Sequence, residues 1–531
     1  MKKVLVTGEL HPIALELMKK EGLDLDVRPL LPHEQILDII NQYHGLVTRS
    51  QTPVDKALID AGTKLEVIGR AAIGIDNIDV DHATKQGLLV VNVPSDNVVS
   101  AAEHTYALML ATMRNLTRAG ESLKNDQWER KPFQGWELQN KTLGIVGLGK
   151  VGGHVAQIAG GFGMKVLAYD PYISKERFEK LRVGKIDGLK DLLQSSDIVT
   201  IHTPRTTETL GMLDYLTLKE MRSGAVLINC ARGGIADEDA ILRLLDEKHI
   251  LRAGIDVFDK EPVIDHPLHK HPNCVCTPHL GASTVEAQER VGKTIALQIA
   301  KALTGRVVDH PVNMPLVEDE LFKFSRGYCS TIEKIGRLSR QLITFNPSFL
   351  RMHVCGKDLA EAMDLLKAAF FKGYFQDTSE QTVNYINSLK IAEQRGLSLE
   401  AIKDPLHDSY SHLIRVEIYG DGEPVTVSGT MFGDKSRIVE LNSYPMDIGP
   451  EGIMLLIRNQ DRPGVIAGVA GLLGAADVNI ARWELGRKEE GGQALGLVKL
   501  DQKVPNEVLS KISDLEHIVQ VRQIDLGELS T

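Results

Sequence analysis

A chain of 531 residues exceeds what one hydrophobic core supports, so three or four domains are expected. Its composition, 43% hydrophobic and 25% charged, is ordinary for a globular protein, and no apolar stretch approaches the roughly 20 residues that span a bilayer. The formal net charge of -10 offers no basic field, so neither nucleic acid nor an anionic membrane is expected as a partner. Five scattered cysteines and an N-terminus that enters a strand at once, without a signal-peptide pattern, point to a reducing compartment, the cytoplasm.

In chain order, residues 1 to about 95 alternate strand and helix. Strands are expected at 3–7, 24–29, 45–49, 65–72 and 88–92, with helices at 13–21, 33–41, 55–61 and 81–87. Residues 100–117 carry apolar positions at near-helical spacing, with Ser100 as N-cap and Glu103 completing a capping box.

The next stretch organises the rest. Leu143–Val146 reads as a buried strand running into Gly147-x-Gly149-x-x-Gly152, followed by a helix and a second strand ending in Asp170, 18 residues beyond Gly152. Gly147 permits the tight turn, Gly149 lets the backbone approach a pyrophosphate, and Gly152 lets helix and strand pack closely. Asp170 would accept from ribose hydroxyls and repel a 2′-phosphate, and no arginine follows it directly. NAD is therefore favoured over NADP. Further βα alternation to about residue 277 predicts a parallel doubly wound sheet, and 285–303 a long helix that could lead back to the first domain.

Beyond it, residues 316–448 form a region without a catalytic constellation, containing a helix near 322–343, a hairpin turn at Gly420-Asp-Gly-Glu-Pro and a strand at 425–432. Residues 452–531 follow a βαββαβ order, which predicts a four-stranded antiparallel sheet whose edge strands could pair with another subunit.

Three loops at strand ends carry the candidate chemistry: Cys230-Ala-Arg232, Asp256-Val-Phe-Asp-Lys-Glu261 and Thr277-Pro-His279. A guanidinium clamps a carboxylate, an imidazole takes a hydroxyl proton, and a carboxylate orients that imidazole and supports its cation. Each alone is more often structural: a helix-end salt bridge for Arg232, a solvated loop acid for Glu261, a helix cap for His279. Together, downstream of a nucleotide loop, they are the parts needed to move a hydride from a 2-hydroxy acid to NAD. His266, His269, His271, Cys274, Cys276 and His279 also crowd together, but the cysteines fall in an expected strand and the upstream histidines among prolines. No metal is expected.

Gly144-Ile-Val-Gly-Leu-Gly-Lys-Val-Gly, Asn229-Cys-Ala-Arg-Gly-Gly, Asp256-Val-Phe-Asp-Lys-Glu-Pro and Pro278-His-Leu-Gly-Ala-Ser-Thr resemble the D-isomer-specific 2-hydroxyacid dehydrogenases. Val427-Ser-Gly-Thr-Met-Phe-Gly and Asp461-Arg-Pro-Gly-Val-Ile extend the resemblance to the long-form D-3-phosphoglycerate dehydrogenases, over nearly the whole chain. The resemblance implies a flavodoxin-like substrate domain (1–97 and 283–312), a Rossmann NAD domain (98–282), an α+β regulatory domain (316–448) and an ACT domain (452–531). It implies Arg232, Glu261 and His279 as catalytic residues, and contacts to NAD from Ile73, Gly147, Gly149, Lys150, Val151, Gly152, Asp170, Thr203, Cys230, Ala231, Arg232, Asp256, His279, Gly281 and Ala282. It further implies substrate contacts from Arg49, Arg70, Gly74 and Asn97, with Arg130 and Lys131 reaching from a neighbouring subunit of a dimer or tetramer. A dianionic phosphate wants more than one cation.

There are two departures from the family pattern. Ile73 stands where many relatives carry a small or hydroxyl residue beside the cofactor. Asn459 and Asp461 stand where some serine-inhibited relatives have His and Asn, while Asn479 is retained, so L-serine is the effector to test. The expected reaction is oxidation of 3-phosphoglycerate at C2. The alternatives are a glyoxylate or hydroxypyruvate reductase with the same site, and an NAD-sensing binding protein without turnover.

Overall fold

The computed structural model of the chain describes residues 1–315, 319–404 and 409–527; the boundaries expected at 316 and 531 lie outside the described residues. Five strands, β1 (Lys3–Val6), β2 (Asp24–Val27), β3 (Gly45–Thr48), β4 (Val67–Arg70) and β5 (Leu89–Val91), form a parallel sheet in the order β2-β1-β3-β4-β5. That is the flavodoxin-like order. Helix Val285–Leu303 lies on it, burying Val291, Ile295 and Ile299 against Val4, Val67 and Val91.

Seven strands make the second sheet: β6 (Thr142–Val146), β7 (Lys165–Tyr169), β8 (Gly184–Lys185), β9 (Ile198–Ile201), β10 (Ala225–Asn229), β11 (Ile250–Ile255) and β12 (Cys274–Cys276). All are parallel, in the order β12-β11-β10-β9-β6-β7-β8. Strands β9 and β10 are buried at every position, which is why they read as continuous apolar runs rather than alternating ones. Order reverses between β6 and β9, and at that switch point the carboxyl ends of the strands open a crevice.

One local expectation fails here. The predicted helix over 100–117 is two helices, Val98–Arg114 and Leu116–Lys124, broken at Asn115 with φ 57°. Asparagine tolerates the left-handed conformation that most residues resist. Ser100 is not the N-cap. Asn97 holds that position without a side-chain cap bond, while Ser100 Oγ lies 2.8 Å from Thr284 Oγ1, so no capping box with Glu103 forms.

The third region contains six strands: β13 (Pro347–Cys355), β14 (Ser398–Asp404), β15 (Leu413–Gly420), β16 (Val425–Phe432), β17 (Lys435–Leu441) and β18 (Tyr444–Ile448). They build a mixed sheet, β14-β13-β15-β16-β17-β18, with β14 alone parallel to its neighbour. The last sheet is antiparallel, β20-β21-β19-β22, from β19 (Ile453–Gln460), β20 (Ile480–Arg487), β21 (Gln493–Leu500) and β22 (Ile518–Asp525).

These two regions share one core. Met454, Leu456, Leu495, Leu497, Ile524 and Leu526 pack into the same cluster as Ile332, Ile335 and Leu338 of helix Asp319–Leu342. The side chain of Gln341 bonds both backbone groups of Asp525, at 2.8 and 2.9 Å. Of the two edge strands of the last sheet, expected to be able to pair with another subunit, one has a neighbour in its own chain. On β20, a Cβ at Gly486 would lie 2.7 Å from the Pro445 carbonyl oxygen, so β18 already lies against that edge. A second junction ties the third region to the first sheet: Asn384 Nδ2 donates to the Gly87 carbonyl at 2.8 Å, just before β5. Among the described residues, no helix is long and apolar enough to cross a membrane.

Candidate active site

The glycine turn has the geometry its sequence demands. Gly147 follows β6 with φ 93°, a left-handed turn that glycine enters at no steric cost. A Cβ on Gly152 would overlap the Gly147 carbonyl oxygen, whereas the space around Gly149 is open to 4 Å. Gly149 caps helix Lys150–Gly161, so the first N–H groups of that helix face the open space, an arrangement suited to a pyrophosphate. The Val151 side chain packs into the core, leaving only its N–H for the loop. Asp170 accepts from Leu148 N–H at 2.8 Å and Tyr172 N–H at 3.0 Å, and Lys150 Nζ reaches Ser95 Oγ at 2.6 Å. Thr203 Oγ1, whose residue abuts the Gly147 turn, is buried without a partner, and so is Asn97 Oδ1. Open space over glycine and two orphaned acceptors fit a dinucleotide. Gly152→Ala is expected to push helix from strand and weaken NAD binding by at least about tenfold, read by NADH fluorescence titration.

At the end of β10, Asn229 shapes the loop. Its Oδ1 accepts from Ala231 N–H and its Nδ2 donates to the Arg232 carbonyl, each at 3.1 Å, and this turn throws Arg232 toward the crevice. Arg232 Nε meets Asp76 Oδ2 at 3.1 Å and Nη1 donates to the Ala231 carbonyl at 2.6 Å. Gly74 gives the guanidinium its room, since a Cβ there would overlap Nη2. Gly74→Ala is therefore expected to displace Arg232 and raise the substrate KM about tenfold with NAD binding retained, in steady-state assays.

The β11 loop carries an acid with a different task from its neighbours. Asp256 is fully buried, and its carboxylate accepts from Thr277 Oγ1 at 2.6 Å, Leu280 N–H at 2.8 Å and Gly281 N–H at 3.0 Å. Burial pushes its carboxyl up, but His104, the Thr277 hydroxyl and the Leu280 amide outweigh burial and hold it below the usual range. Beyond it, Glu261 Oε1 accepts from Phe258 N–H at 3.0 Å and Oε2 lies 2.6 Å from His279 Nδ1. Burial opposes the Glu261 charge, yet the bond from His279 keeps its carboxyl low, so Glu261 is an anion beside the imidazole. His279 itself has φ 55°, a conformation that costs a non-glycine residue about 1–2 kcal/mol.

Both loops open into a cavity of about 1420 Å³ between the two parallel sheets. It is lined by Arg49, Arg70, Ile73, Gly74, Asn97, Arg232, Glu261, His279 and Ala282. Arg70 is 8% exposed, its Nε has no partner, and burial together with the like charges of Arg49 and Arg232 pushes its guanidinium down to about 10. Burial also lowers Arg49. Three cations crowded this way call for an anionic ligand.

The remaining candidates are dispersed. Gly147, Gly149, Lys150, Gly152, Asp170, Thr203, Cys230, Ala231, Asp256 and Gly281 sit around the strand ends but do not line this cavity, and burial pushes the Cys230 thiol up. Arg130 and Lys131 are exposed on a separate loop. Asn459 and Asp461 sit at one end of the last sheet and Asn479 at the other, roughly 20 Å along the strands, so one chain does not assemble them. The histidine–cysteine run does not converge either: His266 pairs with Glu238, His271 with Asp246, and His269 lies edge-on to Phe258. Among the described residues the group close enough for a metal is His104, Cys230 and Asp256, whose carboxylate accepts from Thr277, Leu280 and Gly281. Gln288, which accepts from Arg49 Nη1 at 2.7 Å and donates to the Ala282 carbonyl at 2.9 Å, was not foreseen. Nor was Asp76. Sequence separations of 239 and 156 residues hid both partnerships.

Comparison with known proteins agrees with this geometry. Residues 106–281 match the NAD binding domain of the D-isomer specific 2-hydroxyacid dehydrogenases, 326–442 the D-3-phosphoglycerate dehydrogenase intervening domain, and 453–517 the ACT domain. The D-3-phosphoglycerate dehydrogenase of Methanocaldococcus jannaschii is 38% identical over 99% of this chain and 100% of its own, and that of Bacillus subtilis 36% identical over the same shares. This chain belongs to the D-3-phosphoglycerate dehydrogenase family. Members of this family are oxidoreductases with an NAD-binding domain, and NAD is the cofactor the glycine turn fits. Among solved structures, D-lactate dehydrogenase from Aquifex aeolicus complexed with NAD and lactic acid has a TM-score of 0.53 at 27% identity, covering 59% of this chain and 99% of its own. A Thermus thermophilus protein has a TM-score of 0.55 at 32% identity, covering 58% and 99%.

Proposed function

We propose that the chain oxidises 3-phospho-D-glycerate at C2 to 3-phosphohydroxypyruvate, the entry step of L-serine synthesis, in the cytoplasm. The observation that carries this reading is the convergence of Arg49, Arg70 and Arg232 on the cavity that holds His279 and Glu261. A substrate with a carboxylate at one end and a phosphate at the other accounts for three guanidiniums; a glyoxylate reductase needs only one.

Arg232 clamps the carboxylate, and Arg49 and Arg70 take the phosphate. Glu261 accepts a hydrogen bond from the Nδ1–H of His279, which leaves Nε2 as acceptor for the C2 hydroxyl proton. NAD, when bound, supplies the hydride acceptor. As the hydroxyl proton reaches Nε2, the Glu261 carboxylate stabilises the imidazolium that forms. The family pattern adds a cation from Arg130 or Lys131 of a neighbouring subunit. It also adds L-serine at the last domain, where Asn459 and Asp461 of one chain would face Asn479 of another across the interface of a homo-oligomer.

The test is NADH formation at alkaline pH from 3-phosphoglycerate and NAD, repeated with L-serine. Turnover supports the reading, and suppression by serine supports the effector assignment. Glyoxylate reduction without 3-phosphoglycerate oxidation would overturn it.

A further inference from the structure

His104 belongs to no motif that carries the chemistry, yet it touches the residues that hold the catalytic turn. It projects from helix Val98–Arg114, and its Nε2 lies 3.1 Å from Asp256 Oδ1 and 3.2 Å from Thr277 Oγ1. The Thr277 hydroxyl donates to the same Asp256 oxygen. Both neighbours of Nε2 are thus oxygens with lone pairs to offer, so Nε2 carries the proton and donates.

Asp256 is placed to do more than meet a cofactor. Its carboxylate takes donors from Thr277, Leu280 and Gly281, and its backbone carbonyl accepts from His279 N–H at 2.8 Å. The bonds therefore bracket His279 on both sides, in a backbone conformation that persists only when its surroundings over-determine it. With both oxygens of Asp256 engaged by protein donors, the carboxylate's work is directed at the turn.

We propose that His104, Asp256 and Thr277 form a clamp around the buried Asp256 carboxylate that positions His279 for proton transfer, with His104 as the anchoring donor. The clamp ties the turn to a helix that begins at Asn97, on the wall of the cavity. His104 is a positioning residue, since it lines no part of the cavity and acts through the turn.

The proposal rests on His279 being the acid–base residue, so the test uses whichever 2-hydroxy acid the wild-type chain oxidises. In full-length protein, His104→Leu removes the donor, while His104→Gln keeps an N–H at the Nε2 position. The expected result for His104→Leu is a kcat lower by about 10- to 100-fold, the scale of a misplaced reacting group, with NADH affinity by fluorescence within about threefold. The deuterium isotope effect at C2 should rise, because the chemical step becomes slower than release. His104→Gln should recover most of the rate. Thr277→Val, which leaves His104 in place, should share the kcat loss and guards against a leucine variant that fails to fold.

Unchanged kcat in both His104→Leu and Thr277→Val would overturn the clamp. So would a loss of NADH affinity in step with kcat, which would make the cluster a cofactor support only. A wild-type chain that turns over another acid but not 3-phosphoglycerate would instead overturn the substrate assignment and leave the clamp testable.

Discussion

His279→Ala is expected to lower kcat by about a hundred- to ten-thousand-fold, the range that a positioned acid–base group supplies, while NAD remains bound. The structure explains the separation. His279 sits 2.6 Å from Glu261 at the cavity, whereas the glycine turn, Asp170 and Thr203 surround the other strand ends. The measurement pairs steady-state turnover with NADH fluorescence titration. A near-normal kcat would remove His279 from the reaction. Glu261→Gln should fall between the two, because the amide still meets Nδ1 but cannot stabilise the imidazolium.

Arg232→Gln acts at the other end of the reaction. Truncating one partner of a charge-paired contact costs about 2–5 kcal/mol, so KM should rise by about one and a half to three and a half orders of magnitude. A second effect adds to the first. Asp76 now pairs with Arg232 Nε at 3.1 Å, and without the guanidinium its carboxylate would face the incoming carboxylate with like charge. The double variant Arg232→Gln/Asp76→Asn should therefore bind substrate better than Arg232→Gln alone. Equal KM values for the two would show that Asp76 has no part in the defect.

How much of this site was legible in the sequence depends on the kind of residue. Gly147, Gly149 and Gly152 were readable because a strand, a tight turn and a helix start leave only glycine at those points, and local chain geometry decides it. Arg232, Glu261 and His279 were readable as residues at strand ends, where a doubly wound sheet presents its ligands. Asp256 was read as a cofactor contact; that its buried carboxylate also accepts from Thr277, Leu280 and Gly281 was not legible, because it takes the fold to bring the next loop against it. Ser100 was read as a helix cap because it begins an apolar run; in the fold its hydroxyl is spent on Thr284, 184 residues away.

The third region was the least legible. Its mixed sheet pairs β13 with β14 in parallel across a helical connection; β13 alternates from Leu350 to Val354, but nothing local to it reveals which strand lies beside it. The last domain read well by element order, but its edge did not, because nothing local to β20 reveals that β18 lies against it.

By itself, the sequence determined the order of elements, the nucleotide turn and the three loops that carry reactive groups, since all of these follow from local sterics and periodicity. Tertiary structure alone decided that Arg49 and Arg70 join Arg232, that Gln288 and Asp76 hold two of these arginines, and that His104 reaches the Asp256 clamp. Those partners lie from about 150 to 239 residues apart, and only the packing of two separate sheets across one cleft brings them close enough to act together.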